Sequence, residues 1–494
     1  MILLKNLSFK FNRRPFPRTI LQTLFLPIFL FFTVNAVSQE LISSEFLESR
    51  SWAQMQADIS PIMQNGVELY KITYTTLDVF GVLDTASGLL VLPVRSVPFV
   101  YPLLCYQHGT VSGPNDVPSN IEGGSFLAMV FGAMGYVTAA ADYLGLGEAR
   151  GFHPYVHAKT EASAAIDLLY AVRQYASENN VQLNDQLFIS GYSQGGHAAA
   201  AVQREIQENF SDDFTITASA PMSGPYDISG ATKAGILSNE PYYNPAYMPY
   251  TVLSYNMAYG INYSVGAYFK EPYASNIQVF LEGNIELFSL NNQLINQLTI
   301  NENGAVIPNL MLQDSIIDIV ANQPNHPLNV ALRDNDLIDW APQAPTRLYY
   351  CTADDQVYYR NSVVADSIMN LNGAPDVQAI DVDPTQDHGG CVSPAITSAL
   401  FFFANYQTLT VGNEEVSFKE DISIYPNPAK TSIRLLNAPE ESMIEIFDIK
   451  GQTVFREIQE EASPNIDINH LSTGLYWVRI SKDGSVFNTK LVIN

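Results

Sequence analysis

Residues 187–201, LFISGYSQGGHAAAA, are the most informative part of this chain about its fold. Its first three residues form a short apolar run of the kind found in buried strands, and its closing alanines favour a helix. Between them, glycines two residues before and two residues after Ser193 permit a sharp turn. The order strand, glycine turn and helix predicts a turn that presents Ser193 as a nucleophile. The GxSxG pattern alone is weak evidence, so the interpretation depends on finding partners for the serine.

Residues 1–38 have the composition of a secretory signal peptide. Five basic residues and no acidic residue accompany an apolar run from Leu24 to Val34, and small residues then precede Gln39. The apolar run is shorter than the ~20 residues that a membrane-spanning helix needs. We therefore expect cleavage after Ser38 rather than a retained anchor, and no transmembrane span in the mature chain.

The chain is strongly acidic, with 25 basic and 50 acidic side chains and a formal net charge of −25. Removing the five basic residues of the signal would bring the charge to −30, that is, −25 minus 5. Such a protein repels phosphate backbones, so we expect no nucleic-acid partner. No CxxC pair or HExxH motif indicates zinc, and the acidic residues around Asp381 lack the glycine and the final glutamate of a calcium loop. We expect neither a metal nor another cofactor.

Residues 39–410 are predicted to form one α/β domain. Short apolar strands alternate with helical stretches, which is typical of a mainly parallel sheet that is covered on both faces. The predicted strands include Tyr101–Tyr106, Tyr136–Ala141, Gln186–Ser190, Phe214–Met222 and Arg347–Cys351, and the predicted helices include Ala158–Ala176 and Ala198–Gln207.

The alternation is interrupted at about residues 226–340, which we predict to be an inserted cap subdomain, because an excursion of this length is too long for a loop. Nine tyrosines lie between Tyr242 and Tyr273. Tyrosine combines an apolar ring with a polar hydroxyl, so these side chains could line a cleft for an acyl or aryl group. They could also fill the core of the cap itself, and we expect both to be partly true.

The last part of the chain has a different composition. Residues 411–421 are polar and acidic and are predicted to be a linker, and residues 422–494 contain short alternating strands typical of a small β-sandwich. The motifs YPNP (425–428), DIKGQ (448–452), LSTGLY (471–476) and KLVI (490–493) resemble the C-terminal sorting domain of the type IX secretion system. That resemblance implies the secretion machinery as a partner, and a protein that is secreted or attached to the outer surface.

A serine hydroxyl becomes a good nucleophile only when a base removes its proton. Among seven histidines, His388 is the best candidate, because it lies in a glycine-flanked loop after the predicted last strand, Val377–Val382. The other histidines lack such a position. His197, four residues after Ser193, is predicted to lie on the surface of its helix.

The base needs an acid that orients it, and two aspartates follow the preceding strand. Asp354 is predicted to be this acid. Asp355 is predicted to cap the next helix, which we expect to begin at Val357. The chain order would then be nucleophile, acid, base: Ser193, Asp354, His388.

Two backbone N–H groups are predicted to hold the oxyanion, those of Gln194 and of Thr110, because each follows the end of a strand near the serine. Cys351 lies three residues before Asp354, and Cys391 lies three residues after His388. If the acid and the base are in contact, these two cysteines are close enough for a disulfide, and Cys105 is left as a free thiol. We treat this pairing as a hypothesis.

Residues 66–407 together resemble the α/β-hydrolase fold, and more narrowly the secreted lipase family of serine esterases. The motifs that carry the resemblance are QHGT (107–110), ADYLGLGEARGFHPY (141–155), GYSQGGH (191–197), YCTADDQV (350–357) and DHGGC (387–391). The resemblance implies hydrolysis of a small-molecule or lipid ester without a cofactor. Two alternatives stay open: a prolyl-type serine peptidase on the same fold, and a non-catalytic surface binding module.

Overall fold

A computed structural model describes residues 39–95, 99–411, 422–449, 451–482 and 485–494. The predicted signal peptide, residues 1–38, lies outside the described residues. So does the predicted linker, residues 411–421, apart from Val411. Both therefore stay predictions.

A ten-stranded sheet forms the centre of the described chain up to residue 411. Its strands are β1 (Leu41–Arg50), β2 (Gly66–Leu77), β3 (Leu83–Val94), β4 (Phe99–Gln107), β5 (Val137–Ala141), β6 (Gln182–Tyr192), β7 (Thr215–Met222), β8 (Thr346–Tyr350), β9 (Val377–Asp381) and β10 (Thr410–Val411).

Thirteen α-helices lie within the same described residues. They are α1 (Trp52–Asp58), α2 (Ser125–Ala133), α3 (Ala158–Glu178), α4 (Gln194–Asn209), α5 (Lys233–Ile236), α6 (Tyr247–Ala258), α7 (Val265–Tyr268), α8 (Tyr273–Leu281), α9 (Leu287–Asn301), α10 (Asp314–Asn322), α11 (Pro327–Asp334), α12 (Arg360–Leu371) and α13 (His388–Ala404). None of the described helices is both long and apolar enough to cross a lipid bilayer.

The strands run in the order β1-β2-β3-β5-β4-β6-β7-β8-β9, and β10 pairs with the beginning of β4. The first three strands are antiparallel, and β3 also pairs with β5 in the antiparallel sense. From β5 to β9 every pairing is parallel. The carboxyl ends of these strands therefore lie along one edge of the sheet, which is where open α/β sheets place their sites.

Each face of the sheet has its own hydrophobic core. On one face, α3, α4 and α12 pack alanines and branched side chains against the strands. On the other face, α1, α2 and α13 do the same. Two covered faces explain why β4 to β7 are nearly continuous apolar runs. This architecture confirms the predicted α/β class.

Between β7 and β8, seven helices, α5 to α11, form a separate hydrophobic core. Three of the tyrosines noted in the sequence, Tyr255, Tyr268 and Tyr273, are buried in this core. Two others, Tyr242 and Tyr247, border a pocket that also reaches Ser193. Some tyrosines of this segment therefore fill its core and others line a cleft, as expected from the sequence.

The described C-terminal residues form two antiparallel sheets, as predicted for a β-sandwich. One contains β11 (Ser423–Tyr425), β12 (Ser432–Leu436) and β15 (Asn465–Asp467). The other contains β13 (Ser442–Phe447), β14 (Thr453–Gln459), β16 (Gly474–Lys482) and β17 (Ser485–Ile493). Alternate residues of their strands, mainly isoleucines such as Ile433, Ile444 and Ile480, fill the core between the sheets.

A buried carboxylate in α3 generates a prediction about stability and pH. Asp167 accepts hydrogen bonds from the Thr76 hydroxyl at 2.7 Å and from the Gln39 amide, and burial raises its pKa from 3.8 to about 6. The carboxyl group of Asp167 therefore binds a proton more tightly in the folded protein than in the unfolded chain. The stabilising contribution is therefore complete below about pH 4 and is lost as the pH rises through 6.

We expect that Asp167→Asn removes this titration. Between pH 4 and 7, the free energy of unfolding of the unaltered protein should fall by up to about 3 kcal/mol more than that of the variant. Urea denaturation across that range measures both. Parallel pH profiles for the two proteins would contradict the prediction.

Candidate active site

The turn at Ser193 joins the end of β6 directly to the beginning of α4. Ser193 has φ 63° and ψ −124°, a strained backbone conformation for a residue with a side chain. A Cβ atom on Gly191 would lie 2.1 Å from the Gly195 carbonyl oxygen, and one on Gly195 would lie 2.0 Å from the Gln107 carbonyl oxygen. Only glycine fits at these two positions, so the GxSxG spacing follows from the close approach of three backbone segments.

The candidate base and acid are in contact. His388 Nδ1 lies 2.7 Å from Asp354 Oδ2, and their side chains are 8% and 1% exposed. The other carboxylate oxygen of Asp354 accepts the backbone N–H groups of Gln356 at 2.9 Å and of Val357 at 2.8 Å. Asp354 is thus held by its own turn while it contacts the imidazole.

Two sequence predictions near this pair are wrong. The next helix, α12, begins at Arg360 and not at Val357, because Asp354 binds the N–H groups that would start a helix there and folds residues 354–357 into a turn. Asp355 does not cap that helix. Its carboxylate accepts the backbone N–H of His388 at 3.1 Å, so both aspartates hold the same histidine.

The backbone of His388 is hydrogen-bonded to Tyr192, the residue that precedes Ser193. The Tyr192 hydroxyl donates to the His388 carbonyl oxygen at 2.7 Å, and the two rings lie 4.9 Å apart. A disulfide joins Cys351, just after β8, to Cys391 in the first turn of α13. No hydrogen bond between the Ser193 hydroxyl and His388 is present among the described residues.

The loop after β4 lies against the serine turn. A Cβ atom on Gly109 would lie 3.2 Å from the Tyr192 carbonyl oxygen and 3.6 Å from Ser193 Cβ. The next residue, Thr110, exchanges a 2.7 Å hydrogen bond with the Tyr155 hydroxyl, so its side chain points away to a fixed partner. The two predicted oxyanion donors, Thr110 and Gln194, therefore belong to adjoining backbone segments.

Behind the turn lies a buried polar cluster that the sequence did not reveal. The side-chain amide of Gln194 lies 2.9 Å from Glu161 Oε1 and 2.9 Å from His153 Nε2. Glu161 Oε2 lies 2.7 Å from His197 Nδ1. The prediction that His197 lies on a helix surface is wrong: it is fully buried, because α3 packs directly over this face of α4.

His153 is neutral near pH 7, because burial lowers its pKa to about 4. Its Nδ1–H donates to the Leu144 carbonyl oxygen at 2.7 Å, which leaves Nε2 as an acceptor for Gln194. A signal for Glu161 exists in the sequence: it is a carboxylate three residues after Ala158, on the alanine-rich face of a predicted helix.

An apolar pocket begins at Ser193 and Gln194 and extends among the helices between β7 and β8. It contains about 1030 Å³ of empty space, including the part that is open to solvent. Tyrosines 155, 242, 247 and 358 and a larger set of aliphatic side chains form its walls, among them Leu312, Ile316, Val320, Leu328 and Leu332. Such a wall binds hydrocarbon and offers few polar partners.

The chain matches known proteins over two separate regions. Residues 423–494 match the secretion system C-terminal sorting domain, the domain of type IX secretion. With the α/β-hydrolase fold of the preceding residues, the match defines an exported hydrolase that is secreted or attached to the outer surface.

Several solved structures that are similar to this chain are hydrolases. The rice cell wall degrading esterase LipA from Xanthomonas oryzae is 28% identical, with a TM-score of 0.65 over 75% of this chain and 98% of that one. A provisionally assigned hydrolase from Legionella pneumophila is 25% identical, with a TM-score of 0.66 over 74% and 98%. Candida antarctica lipase A, 12% identical with a TM-score of 0.54 over 74% and 80%, shares the fold alone. No curated protein sequence matches the chain significantly.

The three cysteines allow a chemical check of the tertiary structure. Cys105 is buried, and its pKa is raised to about 12 by that burial, so we expect no alkylation of the native protein by iodoacetamide. After denaturation without a reductant, peptide mapping should find Cys105 alkylated and Cys351 linked to Cys391. With a reductant, all three should be alkylated. Alkylation of Cys351 in the unreduced, denatured protein would exclude the disulfide.

Proposed function

We propose that this protein is a serine hydrolase that cleaves carboxylic esters through an acyl-enzyme, with Ser193, His388 and Asp354 as the catalytic triad. The observation that carries the proposal is the buried 2.7 Å contact between His388 and Asp354. A hydrogen bond from the Tyr192 hydroxyl to the His388 carbonyl oxygen connects this pair to the strained turn of Ser193. The similarity to an esterase over most of the chain supports it.

In this mechanism His388 donates Nδ1–H to Asp354, so its Nε2 lone pair is available to accept a proton. Ser193 Oγ attacks the ester carbonyl carbon as its proton moves to Nε2, and the carbonyl oxygen becomes an oxyanion. The imidazolium then gives this proton to the departing alkoxide. A water molecule then gives a proton to Nε2 as it attacks the acyl-enzyme, and Nε2 returns this proton to Ser193 Oγ as the bond between the acyl carbon and Oγ breaks and the acid is released.

The oxyanion is stabilised by the backbone N–H groups of Gln194 and Thr110. Gln194 is the first residue of α4, and the N-terminus of a helix directs unpaired N–H groups and a partial positive charge toward this point. Donors that are already oriented need little rearrangement as the charge develops. Each is worth roughly 100- to 1,000-fold in rate.

The pocket indicates that this protein binds the acyl chain of the ester. Its walls are apolar and start at Ser193, so an acyl chain can enter while the carbonyl carbon stays at the serine. A peptidase of this fold would need an acidic group for a peptide amine, and the described pocket walls contain no acidic side chain. The substrate class that fits is an ester with a hydrocarbon acyl chain.

The central test is hydrolysis by the purified exported protein of p-nitrophenyl esters beside aminoacyl p-nitroanilides. We expect ester turnover, little anilide turnover, and a loss of kcat of roughly 10⁴-fold or more in Ser193→Ala, because the attacking oxygen is removed. Ser219→Ala is a matched control, since Ser219 is a buried serine on the neighbouring β7 whose hydroxyl has no hydrogen-bond partner in the described structure.

The alternatives give different results in the same assay. Anilide turnover alone would indicate a peptidase. No turnover of either substrate, with no labelling of Ser193 by a fluorophosphonate, would indicate a binding module and would exclude the triad.

The pocket wall generates a prediction about chain length. Val320→Trp, in α10, should fill part of the hydrocarbon space and reduce kcat/KM for p-nitrophenyl dodecanoate by about 10-fold or more, while the butyrate changes little. The control Val363→Trp, at an exposed valine of α12 outside the pocket, should change neither value. An equal loss for both esters in Val320→Trp would show that the acyl chain lies elsewhere.

A further inference from the structure

Glu161 is a buried carboxylate that the proposed triad does not use. It is 1% exposed, lies in the first turn of α3, and contacts Gln194 and His197 of α4. A carboxylate in such an environment is costly unless its oxygens are fully occupied. Both are: one accepts from Gln194 at 2.9 Å and the other contacts His197 at 2.7 Å.

The orientation of the Gln194 side chain follows from its partners. His153 Nε2 and Glu161 Oε1 are both acceptors, so the two N–H bonds of one amide nitrogen satisfy both at 2.9 Å. In the reverse orientation the amide oxygen of Gln194 would face the Glu161 carboxylate and the lone pair of His153 Nε2, and neither could donate a hydrogen bond to it. The Gln194 side chain is therefore held at two points, one on α3 and one on the loop that contains His153.

His197 prevents Glu161 from moving away. Its Nε2 lies 3.0 Å from the Asn335 carbonyl oxygen, which can only accept, so Nε2 carries a proton. One further proton lies between Nδ1 and Glu161 Oε2. Asn335 is itself anchored, because its side chain accepts from the Ala158 N–H at 2.8 Å and donates to the Ala331 carbonyl oxygen at 2.8 Å.

We propose that Glu161 is a positioning residue for the oxyanion site: through the side chain of Gln194 it fixes the direction of the Gln194 backbone N–H. This inference rests on the proposed function. Gln194 directly follows the strained Ser193 and is the first residue of α4, and the two hydrogen bonds of its buried side chain limit the rotation of its backbone. Glu161 touches neither the substrate nor the reacting atoms.

The test compares Glu161→Ala with Glu161→Gln in the full exported protein. Glutamine can accept from Gln194 through its oxygen and donate to a neutral His197 through its nitrogen, so every contact can be kept without the charge. We expect Glu161→Gln to retain kcat within about 3-fold, and Glu161→Ala to lose about 10- to 100-fold in kcat with KM little changed. Affinity for an alkyl trifluoromethyl ketone, which forms an oxyanion adduct on serine, should fall by the same factor as kcat.

Asp167→Ala is the matched control, because Asp167 is also a buried carboxylate of α3 but contacts Thr76 and Gln39 instead of the site. We expect unchanged kcat for this variant even if its stability falls. If Glu161→Ala does not fold, Gln194→Ala provides the second measurement: it keeps the backbone N–H and the Glu161–His197 contact, and should show the same loss in kcat and in ketone affinity.

The outcomes separate the two proposals. If the unaltered protein neither hydrolyses esters nor reacts with a fluorophosphonate at Ser193, the proposed function fails and this inference fails with it. If it does so and either Glu161→Ala or Gln194→Ala keeps full kcat, only the positioning role is overturned. Equal losses in Glu161→Gln and Glu161→Ala would also overturn it, because they would show an effect of charge and not of position.

Discussion

At Ser193, three backbone segments approach so closely that a single methyl group cannot be accommodated between them. β6 ends and α4 begins at this point, and the end of β4 lies beside both. The Gln107 carbonyl oxygen occupies the space that a side chain at position 195 would need, and the Gly195 carbonyl oxygen occupies that of a side chain at position 191. The strained backbone of Ser193 is maintained by this packing and by its N–H bond to the Met222 carbonyl oxygen at 3.0 Å. The pocket, the candidate oxyanion donors and the polar cluster around Glu161 are all arranged around this turn.

The remaining site residues reach the turn because the parallel strands end on one edge of the sheet. β8 and β9 lead into the loops that carry Asp354 and His388, more than 150 residues after the serine. Several contacts hold these loops together: the carboxylates of Asp354 and Asp355, the Tyr192 hydroxyl and the disulfide all act on or beside His388. Together these contacts keep one histidine in a defined orientation, as the proposed proton transfer requires.

Much of this arrangement was accessible from the sequence. Apolar runs separated by helices predicted the sheet, and the glycine spacing predicted the Ser193 turn. The position of Asp354 and His388 after successive late strands predicted that the two side chains meet. The errors at Asp355 and His197 and the omission of Glu161 share a cause: the contacts of these residues depend on which face of one helix or loop lies against another. A histidine four residues after the serine has the same local sequence whether α3 covers it or solvent does.

The order of strands and helices, the glycine turn and the sorting domain could be predicted from the chain alone, because they depend on local backbone preferences and on short motifs. Two features became visible only in the folded structure: Asp354 binds N–H groups of its own turn as well as the imidazole, and Glu161 is buried against His197. Hydrogen bonds between residues dozens of positions apart depend on the packing of whole elements, and that packing leaves no periodic pattern in the chain.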